Sequence, residues 1–538
     1  MKRSLYLVNP RSEVPGYFGG ESYEHLGFEP VQSIADLATT TVAAMVPDDW
    51  QLEICEEYVQ PVDFEHPAEF VGVTGKITQY SRMVEVADEF RRRGKTVIIG
   101  GPFASLSPEV VRDHCDVLVI GELEGLSEEL FGDLAGGSWK AEYRGPERPD
   151  LAASPLPRWD LYPNDRAVTG CVQTSRGCPF ECEFCDVIQY LGRQQRHKPI
   201  PNILAELDQL YELGYRWVFL ADDNLTVYRK KAKAILAAIR DWNAQRLDDP
   251  MAFTTQVSID AARDPEIMQL MAEAGMSWVF IGIETPNEES LREAKKRQNV
   301  GIDLVDEIQV FLDYGIQVTG GMIVGFDHDG PDIFERQFEF AMSTAIPMFS
   351  LGALVAPAAT PLYDRMRDGG RLLEGGSEIA GAPWDTNIRP TQMSREQLIA
   401  GLKWLCNELY SPANFGRRVL QMVERIGPQR GPFSADNRAL ASRPRRPVER
   451  KGLTMLKRLI RRGPEEREMW QELWRVMQEK PESEKLVMEA LMRYAQVRCV
   501  YESGGFWEPH PAGAALSLGP ALDSGARGLV SIGAGRSG

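Results

Sequence analysis

The chain has 538 residues, 43% of them hydrophobic and 26% charged, which is enough for two to four domains with buried cores. Its formal net charge of −18 argues against general nucleic-acid binding, which requires a basic face. Neither a membrane span nor a signal peptide is predicted. We therefore expect a cytoplasmic protein whose eight cysteines are free thiols or ligands.

Residues 1–135 alternate short apolar runs, such as SLYLV and FVGVTG, with amphipathic stretches such as SRMVEVADEFRRR. This alternation predicts a Rossmann-like domain with a parallel sheet. Several strands end in glycine or a polar residue, where ligands of open α/β sheets bind. Ordinary strand-to-helix turns are the alternative interpretation. The residues at this edge are Thr74, Gly75, Gly100, Gly101, Pro102, Gly121, Glu122 and Glu124.

The rest of the chain divides into a linker, a second α/β region and a helical region. Residues 136–166 are rich in glycine and proline and are predicted to be a linker. Six strand–helix pairs over 167–356 predict a partial (β/α)6 barrel, with functional loops at the C-terminal strand ends. Residues 357–510 are predicted to be mainly helical, and 511–538 to be a disordered tail. The basic stretch 443–462 could contact an anionic membrane surface or an acidic partner, or form a solvated helix face.

Three cysteines follow the first predicted barrel strand, Cys178, Cys182 and Cys185 in the stretch CPFECEFC. The spacing C-x3-C-x2-C lets one loop bind three irons of a cubane cluster while the fourth iron faces outward. Thiolate ligands favour an iron–sulfur cluster or zinc. A structural zinc would need a fourth ligand, for which His197 is the nearest candidate. An open iron would instead suit a ligand that chelates through an amine and a carboxylate.

With Phe184 directly before the last cysteine, this motif resembles that of the radical S-adenosylmethionine (SAM) superfamily. The resemblance implies a [4Fe-4S] cluster that binds SAM, cleaves it to a 5′-deoxyadenosyl radical, and receives its electron from a reductant such as ferredoxin or flavodoxin. A turn or helix cap is the alternative for the polar residues after the second barrel strand. The SAM contacts implied are Phe184, Asp222, Asp223, Asn224, Ser258 and Glu284.

The regions on both sides of the barrel extend the resemblance. An α/β domain followed by a PLPRWDL-like linker, with GGP and IGELEG after successive strands, is similar to the cobalamin-binding-domain class of the superfamily. The runs DTNIRPTQMSREQL and LYSPANFGRR resemble the helical domain of a subgroup that includes the hopanoid C-2 methylase. The implied fold class is α/β: a Rossmann-like cobalamin-binding-type domain, a partial radical SAM barrel and a C-terminal helical domain. The D-x-H-x-x-G motif of the cobalamin-dependent mutases is absent, since neither His25 nor His114 fits it.

The function implied is a radical SAM enzyme that, with cobalamin, methylates an unactivated carbon of an apolar small molecule or a lipid. The edge residues of the Rossmann-like domain would then contact cobalamin, and peripheral contact with a membrane would fit a lipid substrate. A radical SAM cyclase, C–C bond-forming or rearranging enzyme without methyl transfer is one alternative, with the first domain empty or binding cobalamin for another purpose. A non-catalytic iron–sulfur or zinc-binding protein is an alternative of another class.

Overall fold

The computed structural model describes residues 2–146, 148–373, 382–434, 446–508 and 516. The predicted tail 511–538 lies outside the described residues except for Leu516. The strands are β1 Ser4–Asn9, β2 Gln32–Ile34, β3 Gln51–Glu56, β4 Phe70–Thr74, β5 Thr96–Gly100, β6 Val117–Ile120, β7 Glu142–Arg144, β8 Ala167–Val172, β9 Ser175–Arg176, β10 Arg196–His197, β11 Trp217–Leu220, β12 Ala252–Gln256, β13 Met276–Glu284, β14 Gln317–Val324 and β15 Met348–Ala353.

The α-helices alternate with the strands up to residue 353 and dominate the chain after it. They are α1 Glu21–His25, α2 Leu37–Ala43, α3 Tyr80–Arg92, α4 Pro102–Leu106, α5 Pro108–Val111, α6 Ser127–Gly136, α7 Val187–Tyr190, α8 Ile200–Glu212, α9 Arg229–Ala244, α10 Pro265–Ala274, α11 Glu288–Glu293, α12 Leu304–Asp313, α13 Ile333–Ser343, α14 Pro361–Asp368, α15 Arg395–Tyr410, α16 Pro412–Arg425, α17 Pro447–Leu459, α18 Pro464–Glu479 and α19 Glu484–Ser503. Within the described ranges, none of these helices combines the length and the apolar character that crossing a bilayer requires.

The first sheet is a Rossmann-like parallel sheet with the strand order β3-β1-β4-β5-β6-β7. Its central strands β4, β5 and β6 are short runs of valine and isoleucine whose side chains are almost all buried. Such continuous apolar runs are typical of parallel sheets that are covered on both faces. The strand order reverses between β1 and β4, which is the position where open α/β sheets form their ligand crevice.

The second sheet is the wall of a partial barrel with the order β15-β14-β13-β12-β11-β8-β2 and parallel pairing throughout. Six of these strands correspond to the predicted (β/α)6 units. The seventh, β2, comes from the N-terminal region and pairs with β8 through Gln32 opposite Ala167. Sequence analysis missed it because a strand of three residues carries no readable periodicity. The region 1–135 therefore contributes a strand to the barrel.

Residues 16–34 run across the open side of the barrel, from one edge strand to the other. The hydroxyl of Tyr17 donates a hydrogen bond to the carbonyl of Leu351 in β15 (2.8 Å), whereas β2 pairs with β8 at the opposite edge. The helix α19 holds this segment, because the Gln496 side chain donates to the carbonyl of Gly16 and accepts from the amide of Ser22. The helical region thus closes the barrel from the side.

The described part of the basic stretch, residues 446–462, includes three arginines that bind the protein itself. Arg446 lies over the Tyr215 ring (4.2 Å) and Arg458 over the Phe28 ring (4.1 Å). Arg462 forms an ion pair with Glu502. Residues 443–445 lie outside the described residues. These arginines therefore fix α17 against the barrel, and contact with a membrane remains a prediction.

Candidate functional site

The three thiols lie on a loop that starts at Arg176, the last residue of β9. Gly177 precedes the first cysteine with φ of 93°, and a side chain there would meet the carbonyls of Gly192 and Gln194 at 2.9 Å. This position therefore requires glycine. The amide of Cys178 donates to Gly192, and the amide of Cys185 donates to the carbonyl of Cys182. Cys182 is buried, whereas Cys178 and Cys185 are partly exposed.

The surroundings of these thiols fit a cluster whose irons displace the protons. Burial raises the pKa of Cys178 to about 11 and that of Cys185 to about 12, so both are thiols until a metal binds. Within the described residues, no three histidine, cysteine, aspartate or glutamate side chains are grouped to hold a single ion. A cubane has a different requirement, because each thiolate binds its own iron. His197, the candidate fourth zinc ligand, lies in β10 with its ring against Tyr228.

The polar residues after β11 surround the start of the cysteine loop. Thr174 and Ser175 donate hydrogen bonds to one oxygen of Asp222 at 2.9 and 2.5 Å. The other oxygen, Oδ2, is buried and has no hydrogen-bond partner among the described residues. Asp223 accepts from the amide of Gly177 at 2.8 Å. Burial raises the pKa of Asp222 and of Asp223 to about 6. The Asp223 carboxylate therefore holds the start of the cysteine loop, and Asp222 has one oxygen that could accept a hydrogen bond from a ligand.

Asn224 and Ser258 hold each other across neighbouring strand ends. The Asn224 side chain donates to the Ser258 hydroxyl at 3.1 Å and accepts from the Ser258 amide at 3.3 Å. The Gln195 side chain donates to the Asn224 carbonyl and to the Ser175 hydroxyl. The residues predicted after β11 and β12 thus form one hydrogen-bonded network at the C-terminal edge of the barrel.

Glu284 ends β13 in a strained conformation with φ of 65°, which is uncommon for a residue with a side chain. Its carboxylate accepts a hydrogen bond from Lys296 at 2.7 Å. Burial lowers the pKa of Lys296, but Glu284 and the thiols of Cys182 and Cys185 raise it more, so the net pKa is raised. A cation therefore lies beside the cysteine loop. Sequence analysis missed Lys296 because no motif marks it.

The middle of the cysteine loop is held by the helical region. The Arg365 guanidinium in α14 donates to both carboxylate oxygens of Glu183 at 2.7 and 3.1 Å, and the amide of Leu362 donates to the Glu183 carbonyl. Phe184 packs beside Phe326, with ring centroids 6.2 Å apart. Phe184 thus belongs to a small apolar cluster behind the loop.

Glu122 and Glu124, at the end of β6, face the barrel. Arg176 donates to Glu122 at 2.5 Å and forms an ion pair with Glu124 at 2.8 Å, and Arg196 donates to Glu122 at 2.6 Å. Both glutamate side chains are only 4% exposed. These two carboxylates were predicted to lie at the edge of the sheet where a ligand binds. In the structure they join the end of β6 in the Rossmann-like domain to Arg176, the residue at which the cysteine loop starts. These ion pairs could not be predicted from the sequence, because the arginines lie far along the chain from their glutamate partners.

The other predicted edge residues lie at the ends of β4, β5 and β6. Gly100 ends β5, Gly101 precedes α4 with φ of 96°, and Pro102 is the first residue of α4. A side chain at Gly101 would collide with the Thr74 hydroxyl, and one at Gly75 would meet Met83. By contrast, a side chain at Gly121, where φ is 88°, would lie in ordinary van der Waals contact with the backbone of Gly145 at 3.8 to 4.0 Å. Glycine is therefore required at Gly75 and Gly101 because neighbouring atoms leave no room for a side chain, whereas at Gly121 it suits the left-handed backbone conformation.

Comparison with protein families gives two matches along the chain. Residues 172–341 match the Radical SAM superfamily. Residues 360–500 match a domain of unknown function, DUF4070. The first match contains the three cysteines and β11 to β14, and the second contains α14 to α18 and most of α19.

Two curated relatives are similar over most of the chain. An uncharacterized methyltransferase from Synechocystis sp. is 39% identical over 73% of this chain and 73% of its own length. The hopanoid C-2 methylase of Rhodopseudomonas palustris is 31% identical over 62% of this chain and 64% of its own length, just under two thirds of that enzyme.

Two solved structures share the architecture. The cobalamin-dependent SAM radical enzyme OxsB, with aqua-cobalamin and SAM bound, superposes with a TM-score of 0.56 at 14% identity, covering 94% of this chain and 82% of its own. The radical SAM methyltransferase TsrM from Kitasatospora setae, with cobalamin and a [4Fe-4S] cluster bound, gives a TM-score of 0.52 at 16% identity, covering 69% and 78%. At these identities the likeness is one of fold.

Proposed function

This chain belongs to the radical SAM superfamily, and on that premise we propose that it methylates an unactivated carbon of a lipid-like apolar molecule. Two relatives support methyl transfer, since one is named a methyltransferase and the other a hopanoid C-2 methylase. The second name also supports a lipid substrate. When bound, the [4Fe-4S] cluster and SAM would supply a 5′-deoxyadenosyl radical, and cobalamin would supply the methyl group.

The observation that carries this proposal is the contact between the cysteine loop and the end of β6. Arg176, two residues before Cys178, binds both Glu122 and Glu124. The carboxyl edges of the two parallel sheets therefore meet at the cysteine loop. Hydrogen abstraction and methyl transfer at one carbon require both reactive groups to reach the same small space, and two facing sheet edges would provide it.

In the barrel, the residues have separate roles under this proposal. Cys178, Cys182 and Cys185 would each bind one iron. Asp222, with one oxygen unpartnered, would accept a hydrogen bond from the SAM ammonium. The predicted neighbours would shape the same SAM site, namely Phe184, Asp223, Asn224, Ser258 and Glu284.

In the Rossmann-like domain, the absence of a side chain at Gly121 would let the backbone approach cobalamin. Thr74, Gly75, Gly100, Gly101 and Pro102 would shape the adjacent strand ends. Glu122 and Glu124 would position the cysteine loop through Arg176, since their carboxylates are already bound. A small electron carrier such as ferredoxin or flavodoxin would deliver the electron that SAM cleavage consumes.

The test is anaerobic reconstitution of the full chain with iron, sulfide and hydroxocobalamin, followed by an absorbance spectrum and an assay with SAM and a strong reductant. We expect both 5′-deoxyadenosine and S-adenosylhomocysteine. Cys178→Ala should lose cluster absorbance and both products, whereas Cys115→Ala, which changes a similarly exposed cysteine far from the loop, should keep them. Formation of 5′-deoxyadenosine without S-adenosylhomocysteine in the presence of bound cobalamin would contradict methyl transfer.

A further inference from the structure

A pocket lies at the end of the barrel opposite to the cysteine loop. Its volume of about 620 Å³ is within the range of about 300–1,000 Å³ that is usual for small-molecule sites. Its wall consists of residues near the starts of the barrel strands, among them Val168, Trp217, Ala252 and Trp278. Residues 17–34, α17 and α19 close it from the other side. Most of its lining is apolar.

The polar groups of this pocket are incompletely satisfied by the protein. The Arg493 guanidinium in α19 lies 4.4 Å from the centre of the Trp278 ring, burial lowers its pKa, and it forms no hydrogen bond or ion pair within the described part of the chain. One turn earlier, Glu489 accepts from the Gln317 side chain through Oε2 at 3.0 Å. Its other oxygen, Oε1, is buried and accepts no hydrogen bond from any residue that the structure describes, and the Lys485 ammonium lies 4.0 Å from it.

This pair of side chains selects the chemistry of a ligand. An anionic group that approached Arg493 would also face Glu489, and an ammonium that approached Glu489 would face Arg493. A hydroxyl group can accept a hydrogen bond from the guanidinium and donate one to the carboxylate. An apolar molecule with a hydroxyl end would therefore satisfy both Arg493 and Glu489.

The inward-facing side of β13 leads from this pocket toward the cysteine loop. Along β13 the side chains of Val279, Ile281 and Ile283 are fully buried against the outer layer, while Trp278, Phe280 and Gly282 alternate with them and are partly exposed. A side chain at Gly282 would meet the Glu284 carboxylate and Lys296 Nζ. Lys296 is the cation that lies beside the cysteine loop. Six residues of strand separate Trp278 from Glu284, or about 20 Å at roughly 3.3 Å per residue.

We propose that the pocket binds the hydroxyl end of an elongated apolar molecule whose other end extends through the barrel toward the cysteine loop. The inference rests on the proposed function, in which this molecule is the methyl acceptor. It specifies a substrate class: an apolar body about 20 Å long with a neutral hydroxyl group at the end remote from the methylated carbon.

Binding can be measured on the full-length protein by quenching of tryptophan fluorescence. The probe is dodecanol brominated next to its hydroxyl-bearing carbon, used below its micelle concentration, with the matching bromododecanoic acid and bromododecane as comparison ligands. Two of the eleven tryptophans, Trp217 and Trp278, line the pocket. We expect saturable quenching of about a fifth of the emission, if all tryptophans emit equally, with the alcohol binding more tightly than the acid or the bromoalkane.

Two variants locate the site. Arg493→Met should weaken alcohol binding about tenfold, the effect of losing one hydrogen bond to a charged donor. Arg475→Met, which removes an exposed arginine of α18, is the matched control and should bind as wild type does. Trp278→Phe should remove about half of the quenching amplitude and still give a result if Arg493→Met does not fold.

The outcomes separate the pocket from the proposed function. Quenching that does not saturate, that is unchanged in Trp278→Phe, or that is equally strong with the acid would overturn the pocket inference. The same protein preparation is assayed for 5′-deoxyadenosine and S-adenosylhomocysteine. Normal products without specific quenching would reject the pocket alone, and specific quenching without either product would reject the proposed function alone.

Discussion

Replacing Arg365 by methionine tests whether the helical region holds the cysteine loop in place. Arg365 is the ion-pair partner of three carboxylates, Glu183 in the loop, Glu293 after the barrel strand β13, and Asp327 after β14. Methionine keeps much of the side-chain length and removes all of these hydrogen bonds. The change therefore isolates the charge interaction between α14 and the loop.

The expected magnitude follows from burial and from the remaining partners. The side chains of Glu183 and Glu293 are 9% and 15% exposed, and that of Arg365 is 37% exposed. Asp327 would still bind Arg371 at 2.5 Å, but Glu183 would lose its arginine. Removing one partner of a buried ion pair costs about 3–5 kcal/mol, and solvent screening at the exposed arginine reduces this to about 2–3 kcal/mol.

Thermal unfolding of the metal-free protein and iron content after reconstitution measure the effect. At about 2–4 °C per kcal/mol for a domain of this size, the melting transition should fall by roughly 5–10 °C, and less iron should be retained per chain. Arg367→Met is the matched control, two residues further along α14. Its side chain is 55% exposed and, within the described ranges, pairs with Asp364 and Asp368 of the same helix alone, so its effect should stay below about 0.5 kcal/mol. Equal shifts in both variants, or normal iron retention in Arg365→Met, would refute the reasoning.

Two further predictions concern buried carboxylates of the Rossmann-like domain. Glu122→Ala should lower the free energy of unfolding by about 3 kcal/mol and speed proteolysis within residues 136–166, because Arg176 and Arg196 lose a shared partner. The control is Glu129→Ala, which should have little effect because the Glu129 side chain is 49% exposed. Equal proteolysis of both variants would count against the prediction. Burial, and then the charge of Asp36, raises the pKa of Glu56 to about 8, so the folded protein keeps a proton that the unfolded chain releases above about pH 4.3. The free energy of unfolding therefore falls by about 1.4 kcal/mol per pH unit as the pH rises between these two pKa values. Glu56→Gln should raise the melting temperature much more at pH 8 than at pH 5. An equal gain at both pH values would show that Glu56 does not titrate in this range.

Much of the fold could be predicted because each sheet is built from local patterns. A window of several residues is enough to predict the valine- and isoleucine-rich strands β4 to β6 and the strand–helix pairs of the barrel. The strand β2 could not be predicted in this way, because its three residues form a strand only by pairing with β8. The path of residues 16–34 across the barrel likewise depends on contacts with α19, more than 450 positions away.

The candidate site shows the same division between local and distant information. The position of the cysteine loop could be read from the sequence, since three cysteines at this spacing stand out by themselves, and their role as cluster ligands stays a prediction. The roles of Glu122 and Glu124 could not be predicted, because their arginine partners stand as isolated residues in the sequence. The basic stretch 443–462 was ambiguous for a related reason: composition shows the charges, but only the structure shows that Arg446 and Arg458 bind the protein's own rings.

The ion pairs on the cysteine loop connect all three regions of the chain. The loop is fixed before its first cysteine by Arg176, which binds the Rossmann-like domain, and between its second and third cysteines by Glu183, which binds α14. Since the loop between these points contains Cys178 and Cys182, its geometry depends on both neighbouring regions being docked. Charged pairs suit this purpose better than apolar contacts, because a buried carboxylate without its arginine is strongly unfavourable and an undocked arrangement is therefore penalised. The same contacts that would bring the two sheet edges together would also shape the loop that we propose binds the cluster.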